Sequence, residues 1–126
     1  MSRQTFVPFP KNKPKGYSAA TRVGNMVFVS GQVAVDEEGN SVGAGDVRAQ
    51  TEQVFSNMEA ALKSAGAGWD DVTKLTGFLV NAEDFPTYAA VRLERFPDNG
   101  PASSTVIVKA LGRPELLVEV EAIAVV

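Results

Sequence analysis

The stretch ELLVEVEAIAVV, residues 115–126, decides the fold. It is β-branched and apolar, and strand alternation divides it into two faces. Val118, Val120, Ala122, Ala124 and Val126 fall on one; Leu117, Glu119, Glu121, Ile123 and Val125 fall on the other. Both faces are largely apolar, and the second carries two carboxylates about 7 Å apart along the strand. A strand that is apolar on both sides needs cover on both. Helices can cover one face, so the other is expected to pack against a second copy of the chain.

Working outward, the helix partner is DVRAQTEQVFSNMEAALKSAGAG, residues 46–68. Val47, Thr51, Val54, Met58, Ala61, Leu62 and Ala65 recur at spacings of three and four, which makes one apolar helical stripe. Asp46 reads as its N-cap and Gly66 as its stop. NMVFVSGQVAV (25–35) reads as a buried strand followed by the turn DEEGN (36–40). VTKLTGFLV (72–80) is another strand, and Phe85 to Phe96 a shorter helix with Pro86 in its first turn. Phe85, Tyr88, Val91 and Leu93 are expected to face inward. STVIVKAL (104–111) supplies a further strand, and TFVPF (5–9) an edge strand. The order β-β-α-β-α-β-β predicts one α+β domain over residues 1–126, a mixed sheet with two helices on one face.

Composition narrows the chemistry. The 126 residues contain no His and no Cys, which removes thiol nucleophiles, Ser-His triads and the usual zinc and iron ligand sets. No calcium-loop spacing appears, and neither GAG segment (43–45, 66–68) has the Lys-Ser/Thr of a phosphate loop. Neither a metal nor an organic cofactor is expected. Reactions here must use carboxylates, hydroxyls, backbone groups, Lys or Arg. A net charge of −3 argues against a nucleic-acid partner, which needs a basic face. The one cationic cluster, KNKPK (11–15), reads as a solvated arm. No apolar run is long enough for a membrane span, and a cytoplasmic location is expected.

Gly16-Tyr17, GNMVFVSGQ (24–32), the helix ending KSAGA, PASSTV (101–106) and VEVEAIAV (118–125) together resemble the Rid (reactive intermediate deaminase, RidA) family across nearly the whole chain. The resemblance implies a chorismate-mutase-like fold and a homotrimer with an inner barrel. It also implies a small-molecule cleft between each pair of neighbouring subunits. Active members hydrolyse enamines and imines to ammonia and a 2-keto acid without a cofactor. Carried over position by position, the water-positioning Glu is Glu119. The cleft Tyr is Tyr17, the strand Ser-Gly is Ser30 and Gly31, and the helix-start Phe is Phe85. Glu121 is expected in a structural hydrogen bond or ion pair.

The family's substrate-gripping Arg follows Pro-Ala, and here that position is Ser103. Thr105 stands where Cys or a small residue is usual, and Ala89 where active members often have Asn. Ser103 and Thr105 are therefore expected to line a ligand wall that lacks its cation. Arg offers a charged planar fork to a carboxylate, Ser a single neutral hydrogen bond. A hydrogen bond to a charged group contributes about 1.5–3 kcal/mol, so its loss alone predicts about a 10- to 150-fold weaker grip. Ordinary 2-imino acids are then expected to be poor substrates unless another cation, Arg113 first and Arg92 or Arg95 after it, refills the cleft. No base stands ready to make Ser103 or Ser104 a nucleophile. Two functions remain: a hydrolase of enamines or imines in which Glu119 steers water, or a trimer that binds a metabolite or a protein without turnover. RNA cleavage, from the endoribonuclease label that family members carry, has little support in an acidic chain without His.

Overall fold

The computed structural model describes residues 2–126. Its elements are β1 (Gln4–Phe6), β2 (Ala20–Val23), β3 (Met26–Val33), α1 (Val47–Ser64), β4 (Val72–Leu79), α2 (Phe85–Arg95), β5 (Ala102–Ile107) and β6 (Val118–Val125). They build one six-stranded sheet in the order β1-β2-β3-β6-β4-β5. All pairs are antiparallel except β4–β5, which the α2 crossover joins in parallel. The mixed α+β architecture matches the expectation.

The C-terminal strand, β6, lies between β3 and β4 near the middle of the sheet. Val118, Val120, Ala122 and Ala124 are buried beneath the helices, as alternation requires. Val126 lies past the strand end and is exposed, because the helix cover stops before it. On the opposite face Met26, Phe28 and Val125 remain open, with Ile123 half-covered between them.

Helix α1 forms as its stripe predicts. Asp46 accepts a hydrogen bond from the Ala49 N–H at 3.0 Å, which caps the first turn. Gly66 takes φ +81° and donates to the Lys63 carbonyl, while Ala67 donates to Leu62 O, closing the last turn. Val54, Phe55, Met58, Ala61 and Leu62 supply much of the core. Phe55 packs edge-on against Trp69 and stacks on Tyr88 at 6.3 Å, joining the two helices through aromatic contact.

Three expectations are corrected. A strand was missed: Ala20–Val23 pairs with β3 across the two-residue Gly24-Asn25 turn, its four residues too short for a pattern. Strand ends also move. β3 stops at Val33, β5 spans Ala102–Ile107 and β6 begins at Val118, since pairing rather than composition ends a strand. In α2, Tyr88 and Val91 are buried, but Phe85 and Leu93 are 41% and 62% exposed. Phe85 opens the helix at its outer end, and Leu93 sits about 200° around the axis from Val91, on the solvent side.

Candidate functional site

Glu119 is placed by β6 on the face away from the helices. It is half-buried, and burial pushes its carboxyl above the usual range, with the like charge of Glu121 adding to the effect. Its position depends on β3. The β3–β6 register slips between Val29 and Gln32, a bulge centred on Ser30 and Gly31. The bulge brings the Gly31 backbone against the Glu119 side chain: a Cβ at Gly31 would stand 2.8 Å from Glu119 Cδ and closer still to Oε2. Only glycine leaves room for this carboxylate.

Ser30 is fixed by the same bulge. Its N–H donates to Ala19 O and its hydroxyl to Ser18 O at 2.6 Å, tying the bulge to the segment that carries Tyr17. Tyr17, Ser30, Gly31 and Glu119 line one open depression of about 400 Å³ together with Val33, Gly112, Arg113 and Leu116. Arg113 donates to Ser41 Oγ at 2.9 Å, and Ser41 in turn donates to the Glu115 carboxylate at 2.6 Å. Glu121 is exposed and makes neither the hydrogen bond nor the ion pair expected of it among the described residues; two positions along from Glu119, it has passed beyond the depression.

Ser103 and Thr105 are elsewhere. Ser103 pairs with Leu75 and Thr105 with Gly77, so both point to the helix side of β5, opposite to Glu119. Glu119 is aligned through Phe78 with Val106, three residues beyond Ser103. Two strand spacings across and three residues along put the two backbones about 14 Å apart, with side chains on opposite faces. Within one chain, Ser103 and Glu119 cannot touch one small ligand.

Around Ser103 a second surface forms. Arg92 of α2 donates from Nη1 to Ser103 Oγ at 3.1 Å, and its guanidinium lies 5.5 Å from the Tyr88 ring centroid and 6.0 Å from that of Phe85. Arg92, Ser103, Ala89, Phe96 and Pro101 line a cavity of about 380 Å³. Tyr88 is fully buried against Gly77, and its hydroxyl has no hydrogen-bond partner among the described residues. Burial raises the phenol's pKa, opposed in part by the nearby Arg92 and Thr105.

Three contributors were not legible. Gln50 and Asn57 sit in the buried stripe of α1 as polar residues, the signal that could have found them. Gln50 donates to Glu115 O and accepts from Leu117 N, setting the entry of β6. Asn57 donates to Val33 O and Val35 O, holding the end of β3 just past the bulge. From sequence Arg92 is only a substitute cation behind Arg113; its bond to Ser103 has no sequence signal.

Residues 10–126 match the family described as endoribonuclease L-PSP. The chain is a member of this family, to which the Rid proteins belong. It is 38% identical over 125 residues to a RutC family protein of Pyrococcus abyssi, covering 98% of each chain. It is 39% identical over 110 residues to the 2-iminobutanoate/2-iminopropanoate deaminase of Dermatophagoides farinae, covering 87% of this Rid-family chain and 85% of that one. The fold superposes on the crystal structure of RidA from an Antarctic Psychrobacter with a TM-score of 0.88 at 34% identity, covering 98% and 99% of the two chains. Among the described residues no His, Cys, Asp or Glu cluster suited to a metal occurs, and no helix is long and apolar enough to cross a membrane.

Proposed function

We propose that this protein hydrolyses a small imine or enamine in a cleft completed by a neighbouring copy of itself, with Glu119 holding the attacking water. The observation that carries the reading is the Glu119–Gly31 contact: a half-buried carboxylate beside a backbone bulge, in no ion pair among the described residues, opening into the depression lined by Tyr17. A carboxylate in that setting can accept a proton from water and orient it. An enamine first tautomerises to the imine, a proton moving from nitrogen to its β-carbon. Water oxygen then adds to the C=N carbon, both water protons pass to nitrogen, and the C–N bond breaks to release ammonia and a carbonyl product. The relative named a 2-iminobutanoate/2-iminopropanoate deaminase supports this reaction class.

The placement of Ser103 and Glu119 on opposite faces supports an inter-subunit cleft. So does the exposed apolar face of Met26, Phe28 and Val125, which a homotrimer would cover. A solution mass three times the 13.4 kDa of the chain is the expected light-scattering result. A cytoplasmic location fits this reading.

The test is ammonia release from freshly generated 2-iminopropanoate by the wild type and by Glu119→Gln. Release by the wild type and its loss in the variant is the expected pair. A wild type inert toward imines and enamines alike, whose ligand affinity Glu119→Gln leaves intact, means the second reading: a non-catalytic trimer that binds a metabolite or a protein. Ser103 in place of an anchoring Arg is the observation on that side. RNA cleavage gains no support from a chain of net charge −3.

A further inference from the structure

Arg92 is the feature of the second surface that its structural surroundings leave unexplained. Helical spacing aligns Phe85, Tyr88, Ala89 and Arg92 on one face of α2, so the guanidinium is delivered to β5 over two aromatic rings. Among the described residues no carboxylate lies within ion-pair distance of it, whereas Arg48 on α1 pairs with both Glu52 and Glu94. One of its five N–H groups goes to Ser103, and Ser103 Oγ, accepting that bond, keeps its own hydroxyl proton to donate. Ala89 is too small to fill the space beside them, which is part of the 380 Å³ cavity. The Tyr88 hydroxyl lies beneath, buried and unpartnered. An unneutralised guanidinium and a free hydroxyl side by side, over apolar rings, make a donor set of carboxylate size.

We infer that Arg92, held by Ser103, is the anion anchor of the cleft and binds the carboxylate of a 2-imino or 2-enamino acid from the helix rather than from the strand. The inference rests on reading the α2–β5 surface as one half of the proposed cleft. Ser103 is then a support for the cation, and carboxylate-bearing imines remain within the substrate range. Arg113, on the Glu119 side and tied to Ser41, holds no part of this anchor.

The experiment measures pyruvate binding by calorimetry and ammonia release from 2-iminopropanoate in the wild type, Arg92→Ala, Arg92→Lys, Arg113→Ala and the double variant Arg92→Ala/Ser103→Arg. Circular dichroism melts confirm folding, and Arg95→Ala, over the Trp69 ring, serves as control. Expected is about a 10- to 150-fold rise in pyruvate Kd for Arg92→Ala. Arg92→Lys should keep part of the affinity, and the double variant should recover it by placing a guanidinium on the strand. Pyruvate binding that Arg92→Ala changes by less than about twofold overturns the inference, as does a loss confined to Arg113→Ala. A wild type that does not bind pyruvate overturns it too. The two readings separate cleanly. Ammonia release untouched by Arg92→Ala removes the anchor and leaves the hydrolase. Pyruvate binding that depends on Arg92, without any ammonia release, removes the hydrolase and leaves the anchor.

Discussion

The Glu119 depression and the Arg92 surface differ in almost every physical respect. The first is built by backbone, with a bulge, a glycine and a carboxylate whose charge burial and Glu121 both disfavour, and its one cation, Arg113, is turned to Ser41. The second is cationic and built by side chains: two rings, a hydroxyl and a guanidinium without a counter-ion among the described residues. In the proposed reaction each would supply one of the two parts needed. A substrate carboxylate beside Glu119 would meet a like charge, and among the described residues the Arg92 surface is lined by no carboxylate that could act as base. Acid and anchor also sit on opposite faces of the sheet, where they cannot neutralise each other within one chain.

The largest expected effect would break this comparison or confirm it. Glu119→Gln should lower 2-iminopropanoate turnover by about 100- to 10,000-fold while pyruvate binding stays within a few-fold of wild type. If binding collapses as well, the two regions are not separable. The same variant tests the burial argument. A carboxyl whose folded pKa is raised contributes stability below its unfolded pKa and loses it as pH rises through the folded pKa. Glu119→Gln should therefore melt no lower than wild type at neutral pH. Any advantage should fade below the ordinary Glu range of about 4.3.

Gly31→Ala comes next. The added methyl must displace the Glu119 carboxylate or the bulge, costing about 1–3 kcal/mol in urea unfolding, with a loss of turnover smaller than that of Glu119→Gln. Pyruvate affinity should be spared, since Arg92 is on the other surface. Asn57→Ala leaves Val33 O and Val35 O without their buried donor and is expected to cost about 1–3 kcal/mol, read by the same unfolding. Turnover should fall less than in Gly31→Ala, because Asn57 holds the bulge only from behind.

The smallest effect sharpens the electrostatics. If ionised Glu119 holds the water, kcat/KM should fall on the acid side with an apparent pKa above the ordinary Glu range. Glu121→Gln removes a like charge and should move that limb down by less than about one unit. A shift upward would mean that Glu121 acts on Glu119 by some route other than repulsion.

Much of this was legible in the chain. The caps of α1 and its apolar stripe were read from spacing, and both caps formed with the bonds expected of them. Tyr17, Ser30, Gly31 and Glu119, carried over from motif resemblance, line one depression. The misses have a common character. β2 is four residues of mixed polarity whose identity as a strand comes from pairing with β3. Phe85 is apolar at a helix start, where periodicity cannot say whether anything covers it. Gln50 and Asn57 break the apolar pattern, and polar residues inside a buried stripe must find partners, but spacing alone does not name them.

The sequence by itself determined the type of every helix and strand but β2, the carboxylate at 119, the Ser at 103 and the exclusion of thiol and His chemistry. These follow from residue identity and from periods of 2 and 3.6, which are local properties of the backbone. Only the tertiary structure decided that a bulge would press Gly31 against Glu119, and that Ser103 would turn to the helix side. It alone brought Arg92 over that serine. Those placements depend on strand register and on the crossover between β4 and β5, which bring together groups that no local period relates.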